Sequence, residues 1–396
     1  MEILAIGKPA INIYLPLQGF PEEGDVFSIE SKNESLGNVA AVSACLLSKW
    51  KMSVHFTGVV GNDGYAENVN ETFKTYKVDT HYVETNFEIG TATNTMILNV
   101  KNGGVTKVLF NNPKAQLQKY RYDFQPDLAI IDGTDAAGAN ALINNNQSVK
   151  KVFYARRGDA DTLNMSKRCN QVICTQNFAE AITREQPDGT PEGYVNFYQK
   201  IVDKCGASNY IVILNDHKIL YSRDGKVKLL PEMKINITDS SSFDSVFVGT
   251  FTFAFANDVD LDDAVKLANT AAGISMSKIG EEPSIPSLDD VLDNSGLRDK
   301  LGMSRTRADG GTQPVGQPVD QTAATAPAEA QATSAVETQP LQAAPVEQAP
   351  VAAQPVQAPA EVQPQSAVQS SIPQPSAVTN VDSAFGTQPQ DTSVNG

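Results

Sequence analysis

The sequence predicts an α/β fold in which helices flank a doubly wound, mostly parallel sheet. Short apolar runs recur along the middle of the chain, separated by stretches long enough for helices, at residues 128–131, 152–154, 172–174 and 210–214. This alternation is typical of strands joined by right-handed helical crossovers. The composition also changes near residue 300, beyond which Phe385 is the single aromatic residue. We therefore expect one folded domain over residues 1–300.

The N-terminal third begins with a strand. Residues 2–6 are a short apolar run that ends at Gly7, which is typical of a core strand. Residues 38–50 place Ala40, Ala44, Leu47 and Trp50 at helical spacing and predict a buried helix. A strand over 54–60, a turn over 61–64 and a polar-faced helix over 67–77 are expected to follow.

A β-hairpin is predicted next. Residues 91–100 and 107–110 alternate between apolar and polar types, and residues 101–104 between them read Lys-Asn-Gly-Gly. A second strand pair is predicted over residues 210–221, with an Asn-Asp turn. Residues 261–279 predict a long helix with acidic residues in its first turn, where they complement the helix dipole.

Residues 237–257, ITDSSSFDSVFVGTFTFAFAN, predict a strand that turns into a buried helix. Small hydroxyl residues follow Asp239, and an apolar run containing Gly249 comes after them. A loop of this kind places several backbone N–H groups at a helix N-terminus, where they bind anions. We therefore expect an anion site at the start of this helix.

Charge and composition exclude several kinds of partner. Lys and Arg number 31 against 46 Asp and Glu, giving a formal net charge of −15. This acidic balance argues against nucleic acid or an anionic membrane as the partner. The first residues have no cationic segment, and apolar runs are too short to span a bilayer, so we expect a cytoplasmic protein. The spacing of the four cysteines does not indicate a metal cluster.

Residues 301–396 predict a disordered tail. The segment is rich in Ala, Pro, Gln, Val, Ser and Thr. It cannot bury enough apolar surface to offset about 1–2 kcal/mol of backbone entropy per residue. Its partner, if it is a protein, cannot be named from these residues.

The segment from Asp239 to Thr250 resembles the C-terminal signature of the ribokinase/PfkB carbohydrate kinases, D-T-x-G-A-G-D-x-F-x-G-G. The resemblance implies a ribokinase-like sheet with a β-hairpin lid over the sugar, often also a dimer contact. Residues 77–80, Lys-Val-Asp-Thr, resemble the family's G-V-D-T entry to a lid strand. It aligns Ser245 with the catalytic Asp of the family. Ser242, Phe243 and Asp244 then fall on the loop that binds the anion.

Two of these departures bear on catalysis. A serine hydroxyl has no proton-accepting form near neutral pH, whereas a placed general base contributes about 10²–10⁴-fold. The carboxylate of Asp244 falls where a phosphate should bind, and two like charges about 4 Å apart repel by roughly 4 kcal/mol at an effective dielectric of about 20. The loop is therefore predicted to be impaired in two independent ways.

The substrate-binding signatures are also altered. Gly37, Gly58 and Gly61 match the N-terminal signature of the family, while Asn38 replaces its second Gly and Val42 replaces a substrate-contacting Asn. Asn12 stands where the family has an Asp that holds sugar hydroxyls, and a turn-end Asn without a ligand remains the alternative. Residues 280–287 resemble the closing G-A-x-x-S-I-P-S signature.

The nucleotide side is predicted from Asn177 and Glu180. They match the N-x-x-E motif, which implies a role in orienting a hydrated Mg²⁺ near the phosphates. An ordinary helix N-cap by Asn177 is the alternative. Asn215 and Lys218 occupy the two Gly positions of the family's nucleotide turn, and a plain hairpin turn explains the same residues.

Three functions remain open from the sequence. The first is a catalytically impaired, pseudokinase-like protein that binds a sugar and a nucleotide or serves as a scaffold. The second is an active ATP-dependent sugar or nucleoside kinase that uses Mg²⁺ and a displaced base such as Asp244 or Asp239. The third is a folded domain that only anchors the tail in an assembly.

Overall fold

The computed structural model describes residues 1–110, 112–207 and 209–303. The strands in this part of the chain are β1 Glu2–Ile6, β2 Ala10–Leu17, β3 Asn33–Gly37, β4 Ser53–Val60, β5 Asp79–Thr85, β6 Ala92–Asn99, β7 Gly104–Phe110, β8 Leu128–Ile131, β9 Lys150–Ala155, β10 Gln171–Thr175, β11 Tyr210–Ile213, β12 Ile219–Arg223 and β13 Lys226–Leu230. The helices are α1 Val39–Lys49, α2 Gly64–Tyr76, α3 Ala136–Asn145, α4 Ala160–Ser166, α5 Gln176–Thr183, α6 Pro191–Cys205, α7 Phe243–Ala256, α8 Leu261–Ser275 and α9 Leu288–Ser295.

The larger sheet, called the large sheet below, has the strand order β13-β12-β11-β10-β9-β8-β1-β4-β5 within the described residues. Its strands from β11 to β5 run parallel, and β12 and β13 extend it antiparallel. The predicted doubly wound, mostly parallel sheet is therefore confirmed.

Helices cover both faces of the large sheet because the strand residues alternate between two hydrophobic clusters. Ile3 and Ile130 pack with α1, α7 and α8, whereas Leu4 and Ile131 pack with α3 and α6. A strand buried on both faces reads as a continuous apolar run. The short runs in the sequence are therefore these core strands.

The second sheet, called the lid sheet below, has the order β3-β2-β6-β7. The predicted hairpin is confirmed as the antiparallel pair β6 and β7. Strand β2 adds to β6 in parallel, and β3 pairs with β2. The lid is thus broader than the hairpin that the sequence predicts, since β2 and β3 join it.

Two local expectations are wrong. Residues 77–80 were expected to lead into a lid strand, but β5 pairs with β4 and forms the edge of the large sheet. Residues before Ser240 were expected to be a strand, but a 3₁₀ turn, Ser240–Ser242, leads directly into α7. The predicted tail lies outside the described residues and stays a prediction.

Helices α1 and α7 pack closely at Gly249 and Ser43. A Cβ atom at Gly249 would be 3.1 Å from Cα of Ser43, so a side chain there would require a shift of a few tenths of an ångström. The Ser43 hydroxyl donates to the backbone oxygen of Ser245 at 3.0 Å. Among the described residues, none of the helices has the length and apolar character that crossing a membrane requires.

Candidate active site

A cavity of about 280 Å³ lies between the two sheets. Its large-sheet wall comes from residues at or just after the carboxyl ends of β8 to β11: Asp132, Thr134, Tyr154, Arg156, Thr175, Asn177, Ile213, Leu214, Asn215 and His217. Its lid wall is formed by Asn94, Val105, Lys107 and Leu109, and the N-terminal ends of α1 and α7 with Glu281 complete it. Ligands of open α/β sheets bind at this end of the strands.

The turn before α7 is held by Asp239. Its carboxylate accepts hydrogen bonds from the Ser241 N–H at 2.8 Å, the Ser241 hydroxyl at 2.9 Å and the Gly280 N–H at 2.8 Å. The side chain is fully buried, and burial raises the pKa of Asp239. Asp239 therefore fixes two loops and is poorly placed to act as a displaced base.

Ser242 and Phe243 turn away from the cavity. The Ser242 hydroxyl shares a hydrogen bond of 2.8 Å with the hydroxyl of Ser275 on α8. The Phe243 ring is buried and lies 4.8 Å from the ring of His217 and 6.1 Å from that of Phe247, between ring centroids. The bulk of Phe243 thus fills the core, and the N-terminal turn of α7 still opens to the cavity.

Ser245 has a carboxylate partner that the sequence analysis does not predict. Its hydroxyl donates to Oε2 of Glu281 at 2.7 Å, and both residues line the cavity. The second oxygen of Glu281 is 3.2 Å from Nζ of Lys107 on the lid strand β7. Ser245, which stands where the family has its catalytic Asp, is therefore within hydrogen-bond distance of the Glu281 carboxylate.

Asp244 also lines the cavity, in the first turn of α7. Its carboxylate accepts a hydrogen bond from the Tyr154 hydroxyl. Burial, with the neighbouring charge of Asp244, holds the pKa of Tyr154 well above its usual range. Burial also lowers the pKa of His217, although Asp244, Glu232 and Asp216 act in the opposite direction.

The substrate-side residues form a network of amides. Asn12 is fully buried, and its Oδ1 accepts from Nδ2 of Asn94 at 2.7 Å while its Nδ2 lies 3.2 Å from the Tyr14 hydroxyl. Asn38 donates to the Lys8 carbonyl at 2.8 Å. Asn38 and Asn94 reach the cavity, and Asn12 supports them from behind.

Gly37 and Val42 have structural surroundings. A Cβ atom at Gly37 would lie 2.2 Å from Oδ1 of Asn12, so the glycine makes room for that amide. Val42 is fully buried within the hydrophobic cluster around α1 and α7. Asn38, at φ 73°, adopts the left-handed conformation where the family has its second glycine. Of the predicted substrate residues, Asn38 is the one that lines the cavity.

On the nucleotide side too, some of the predicted residues line the cavity and one, Glu180, does not. Thr175 caps α5 by accepting from the Phe178 N–H at 3.2 Å, so the alternative in which Asn177 is the cap is wrong. Asn177 and Asn215 instead line the cavity. The carboxylate of Glu180 accepts from the amides of Gln176 at 2.7 Å and Gln186 at 3.3 Å.

The donor set fits a magnesium ion only indirectly. Mg²⁺ in nucleotide sites keeps several waters and takes one or two carboxylates together with phosphate oxygens. Asn177 faces the cavity, but the oxygens of Glu180 are already engaged by two amides. In the part of the chain that is described, no group of three or more acidic, histidine or cysteine side chains has metal-binding geometry.

The sequence of residues 2–288 matches the model of the pfkB family carbohydrate kinases. The chain belongs to this family. It is 22% identical to a deoxyribokinase of Salmonella typhi over 308 residues, covering 73% of this chain and 97% of that protein. The match over residues 2–288 spans both sheets and every residue of the cavity.

Solved structures of ribokinases share the fold. A putative ribokinase from Agrobacterium tumefaciens superposes with a TM-score of 0.66 at 15% identity, covering 76% of this chain and 99% of that one. A ribokinase from Arabidopsis thaliana, solved with ribose and ATP, gives a TM-score of 0.58 at 16% identity over 74% of this chain and 98% of that one. The ribokinase-like fold predicted from the signatures is therefore confirmed.

Sequence reasoning missed several cavity residues. Glu281 lies at the Ala position of the closing signature, and a charged residue in that turn is a signal that was available. Lys107, Tyr154 and Arg156 lie on strands or directly after them and match none of the signatures. Their place in the site follows from strand order, which local spacing does not encode.

Proposed function

We propose that this pfkB family protein transfers the γ-phosphoryl group of ATP to a hydroxyl of a sugar or nucleoside. The observation that carries the proposal is one cavity bounded by three features: the amide-lined lid sheet, the strand ends of the large sheet and the open N-terminus of α7. Amide side chains suit sugar hydroxyls, and a helix N-terminus suits a phosphate. A nucleotide and a hydroxyl acceptor therefore have complementary places.

The cavity residues suggest how the ligands divide it. The acceptor fits between Asn38 and Asn94 on one side and Ser245 on the other. The phosphates fit over the first turn of α7, and the nucleoside fits beside Asn177, Asn215 and His217. Asn177, and Glu180 through water, would hold a hydrated Mg²⁺, which would neutralise phosphate charge.

Magnitudes favour turnover over an inactive site. Phosphoryl transfer is catalysed mainly by positioning and electrostatic stabilisation. Enzymes accelerate reactions by about 10⁶-fold or more, and a general base typically supplies about 10²–10⁴ of this. A serine in place of the general base, as at Ser245, would therefore slow the reaction without abolishing it.

A second candidate is a pseudokinase-like protein that binds its ligands without turnover. It is favoured by Asp244, whose carboxylate faces the cavity in the first turn of α7, where it opposes a bound phosphate. For the ligands to bind without turnover, this repulsion must lower the affinity for ATP or misplace its γ-phosphate. The two candidates differ in one observable, the formation of a phosphorylated product.

The test is phosphotransfer by the purified full chain, with Mg²⁺–ATP and a panel of pentoses, hexoses and nucleosides. We expect acceptor-dependent release of ADP and a product heavier by one phosphoryl group in mass spectrometry. Asn177→Ala should reduce the rate, and Asn196→Ala, an exposed change on α6, should leave it unchanged. A loss confined to Asn177→Ala would exclude a contaminating kinase as the source of the activity. Ligand-induced thermal stabilisation without product would support the second candidate and refute the first.

We also propose that the lid sheet pairs two copies of the chain. Strand β7 is at the edge of the sheet, and it exposes Val108 at 58% and Phe110 at 56%. An exposed apolar edge strand is a ready surface for strand pairing. Sedimentation equilibrium that detects only monomer would contradict this. The cytoplasmic location and a partner of the tail remain predictions.

A further inference from the structure

Glu281 lies where a proton acceptor is needed, although the sequence carries serine at the expected position. Its Oε2 is 2.7 Å from the Ser245 hydroxyl, which is the donor, and both side chains line the cavity at the start of α7. We infer that Glu281 accepts the proton of the phosphorylated hydroxyl, and that Ser245 relays it. This inference rests on the proposed phosphotransfer.

The carboxylate is held in a defined place by two chain segments. Lys107 of β7 approaches its Oε1 at 3.2 Å, and the Glu281 N–H donates to the Tyr14 hydroxyl at 3.1 Å. The side chain of Glu281 is 3% exposed, while that of Lys107 is 33% exposed. A buried charge requires a partner, and the lysine supplies it. Lys107 is therefore a positioning residue that links the lid to the acceptor.

The backbone around Glu281 also fixes its direction. Gly280 has φ 98°, a conformation that favours glycine, and its N–H donates to Oδ2 of Asp239 at 2.8 Å. Asp239 thus binds both the turn before α7 and the turn that carries Glu281. The carboxylate and Ser245 are brought together across 36 residues of sequence.

Other carboxylates near the cavity are less suited to the role. Both oxygens of Asp239 accept hydrogen bonds from Ser241 or Gly280. Those of Asp132 accept from the N–H groups of Ala40 at 3.1 Å and Thr134 at 3.0 Å. Asp244 is bonded to the Tyr154 hydroxyl. Among these carboxylates, the one of Glu281 accepts from a hydroxyl that itself faces the cavity at the expected base position.

The proposed phosphoryl transfer needs only the acceptor, ATP, Ser245 and Glu281. The acceptor hydroxyl gives its proton to Oγ of Ser245 as Ser245 gives its own proton to Oε2 of Glu281. The acceptor oxygen forms a bond to the γ-phosphorus of ATP, and the bond from that phosphorus to the bridging oxygen breaks. ADP leaves with the electron pair, and Glu281 carries the proton until solvent removes it.

The test compares Glu281→Gln with Glu282→Gln in the full chain, using the acceptor and ATP that support wild-type turnover. Gln keeps the shape, and its amide oxygen still accepts from Lys107, but its NH₂ group donates to Ser245 instead of accepting from it and takes up no proton. We expect kcat to fall about 10²–10⁴-fold with both KM values unchanged. Glu282→Gln, on the adjacent residue, should leave kcat unchanged. A thermal shift with ATP establishes that each variant is folded.

A rescue variant keeps the inference falsifiable if Gln at position 281 perturbs the fold. Ser245→Asp places a carboxylate on α7 itself, so Ser245→Asp combined with Glu281→Ala should be at least tenfold more active than Glu281→Ala alone. Ser245→Ala should lose kcat as Glu281→Gln does, because the relay is removed.

The outcomes separate the two proposals. If wild type turns over and Glu281→Gln keeps its kcat, this inference is wrong while the proposed function stands. Wild-type protein that phosphorylates no acceptor overturns both. If wild type is silent but Ser245→Asp is active, the rest of the site is competent, and Glu281 does not serve as acceptor.

Discussion

The large sheet and the lid sheet meet at one cavity, but they are built from different kinds of residue. Strands β1 and β8 of the large sheet are almost wholly apolar and buried between helices. The lid sheet buries polar groups, including Asn12 and Asn94, and exposes Val108 and Phe110 on its edge. We therefore expect the large sheet to carry most of the stability of the domain, and the lid sheet to contribute side chains to the proposed ligand site.

Matched valine substitutions test this division most strongly. Val152→Ala removes two carbon atoms from a fully buried site on β9, and Val108→Ala removes the same atoms from a site on β7 that is 58% exposed. We expect Val152→Ala to lower the free energy of unfolding by about 2–3 kcal/mol through lost burial and a cavity. Val108→Ala should change it by less than about 0.5 kcal/mol.

Urea unfolding followed by the fluorescence of Trp50, the single tryptophan, measures both values. Trp50 packs against Phe253 of α7, with ring centroids 5.1 Å apart, so it reports on the main core. Equal losses for the two valine variants would mean that the lid sheet is as important to stability as the large sheet.

A charge substitution on the α7 side sharpens the comparison of the two walls. Asp244→Asn removes the charge that faces the proposed phosphate position. Like charges about 4 Å apart repel by about 1–4 kcal/mol between bulk water and an effective dielectric of about 20. We therefore expect ATP to bind about tenfold more tightly, as measured by calorimetry at fixed Mg²⁺ and ionic strength.

The lid provides the matched comparison for that variant. Asn94→Ala removes an amide that lines the cavity and supports Asn12 and Asn38. It should raise the KM of the acceptor and leave the affinity for ATP unchanged. If Asn94→Ala weakens the binding of ATP as much as the binding of the acceptor, the two walls do not divide the ligands as proposed.

The smallest expected effect concerns pH and His217. Burial lowers the pKa of His217 in the folded protein, so between that pKa and about 6.5 the unfolded chain binds more protons. Stability from this group is therefore present near pH 7 and is lost progressively as the pH falls below about 6.5. His217→Asn, which suits the φ of 60°, should reduce this loss.

Urea midpoints of wild type and variant near pH 7 and pH 5 measure the difference. His81→Asn is the control because His81 is exposed. An identical pH dependence in wild type and His217→Asn would show that the histidine is not responsible.

The scaffold was predictable from sequence because its signals are local. Apolar runs with helical stretches between them indicate core strands and crossovers, and the alternation over residues 91–110 indicates the hairpin. Strand β2 was missed because Asn12 and Pro16 interrupt its apolar pattern. Strand β5 was assigned to the wrong sheet because its neighbour is set by tertiary pairing.

The site was predictable only in outline. The signatures place Asp244, Ser245, Asn38, Asn177 and Asn215 at the cavity, as the structure does. They do not show that Asn12 and Val42 are buried behind it, nor that Glu281 reaches Ser245 from another loop. A sequence signature shows which residue stands in place of another. It does not show which residue from a distant loop lies beside that position in the fold.

The contact between Gly249 and Ser43 has a geometrical consequence for the mouth of the cavity. Asn38 and Val39 lie at the N-terminal end of α1, and Asp244 and Ser245 lie at that of α7, so the gap between these helix axes sets the width of the aperture. A methyl group at position 249 would meet Cα of Ser43 at 3.1 Å, so the two helices would have to move apart by a few tenths of an ångström to accept it. Any larger residue there would widen the aperture and shift the carbonyl of Ser245 away from the hydroxyl that anchors it.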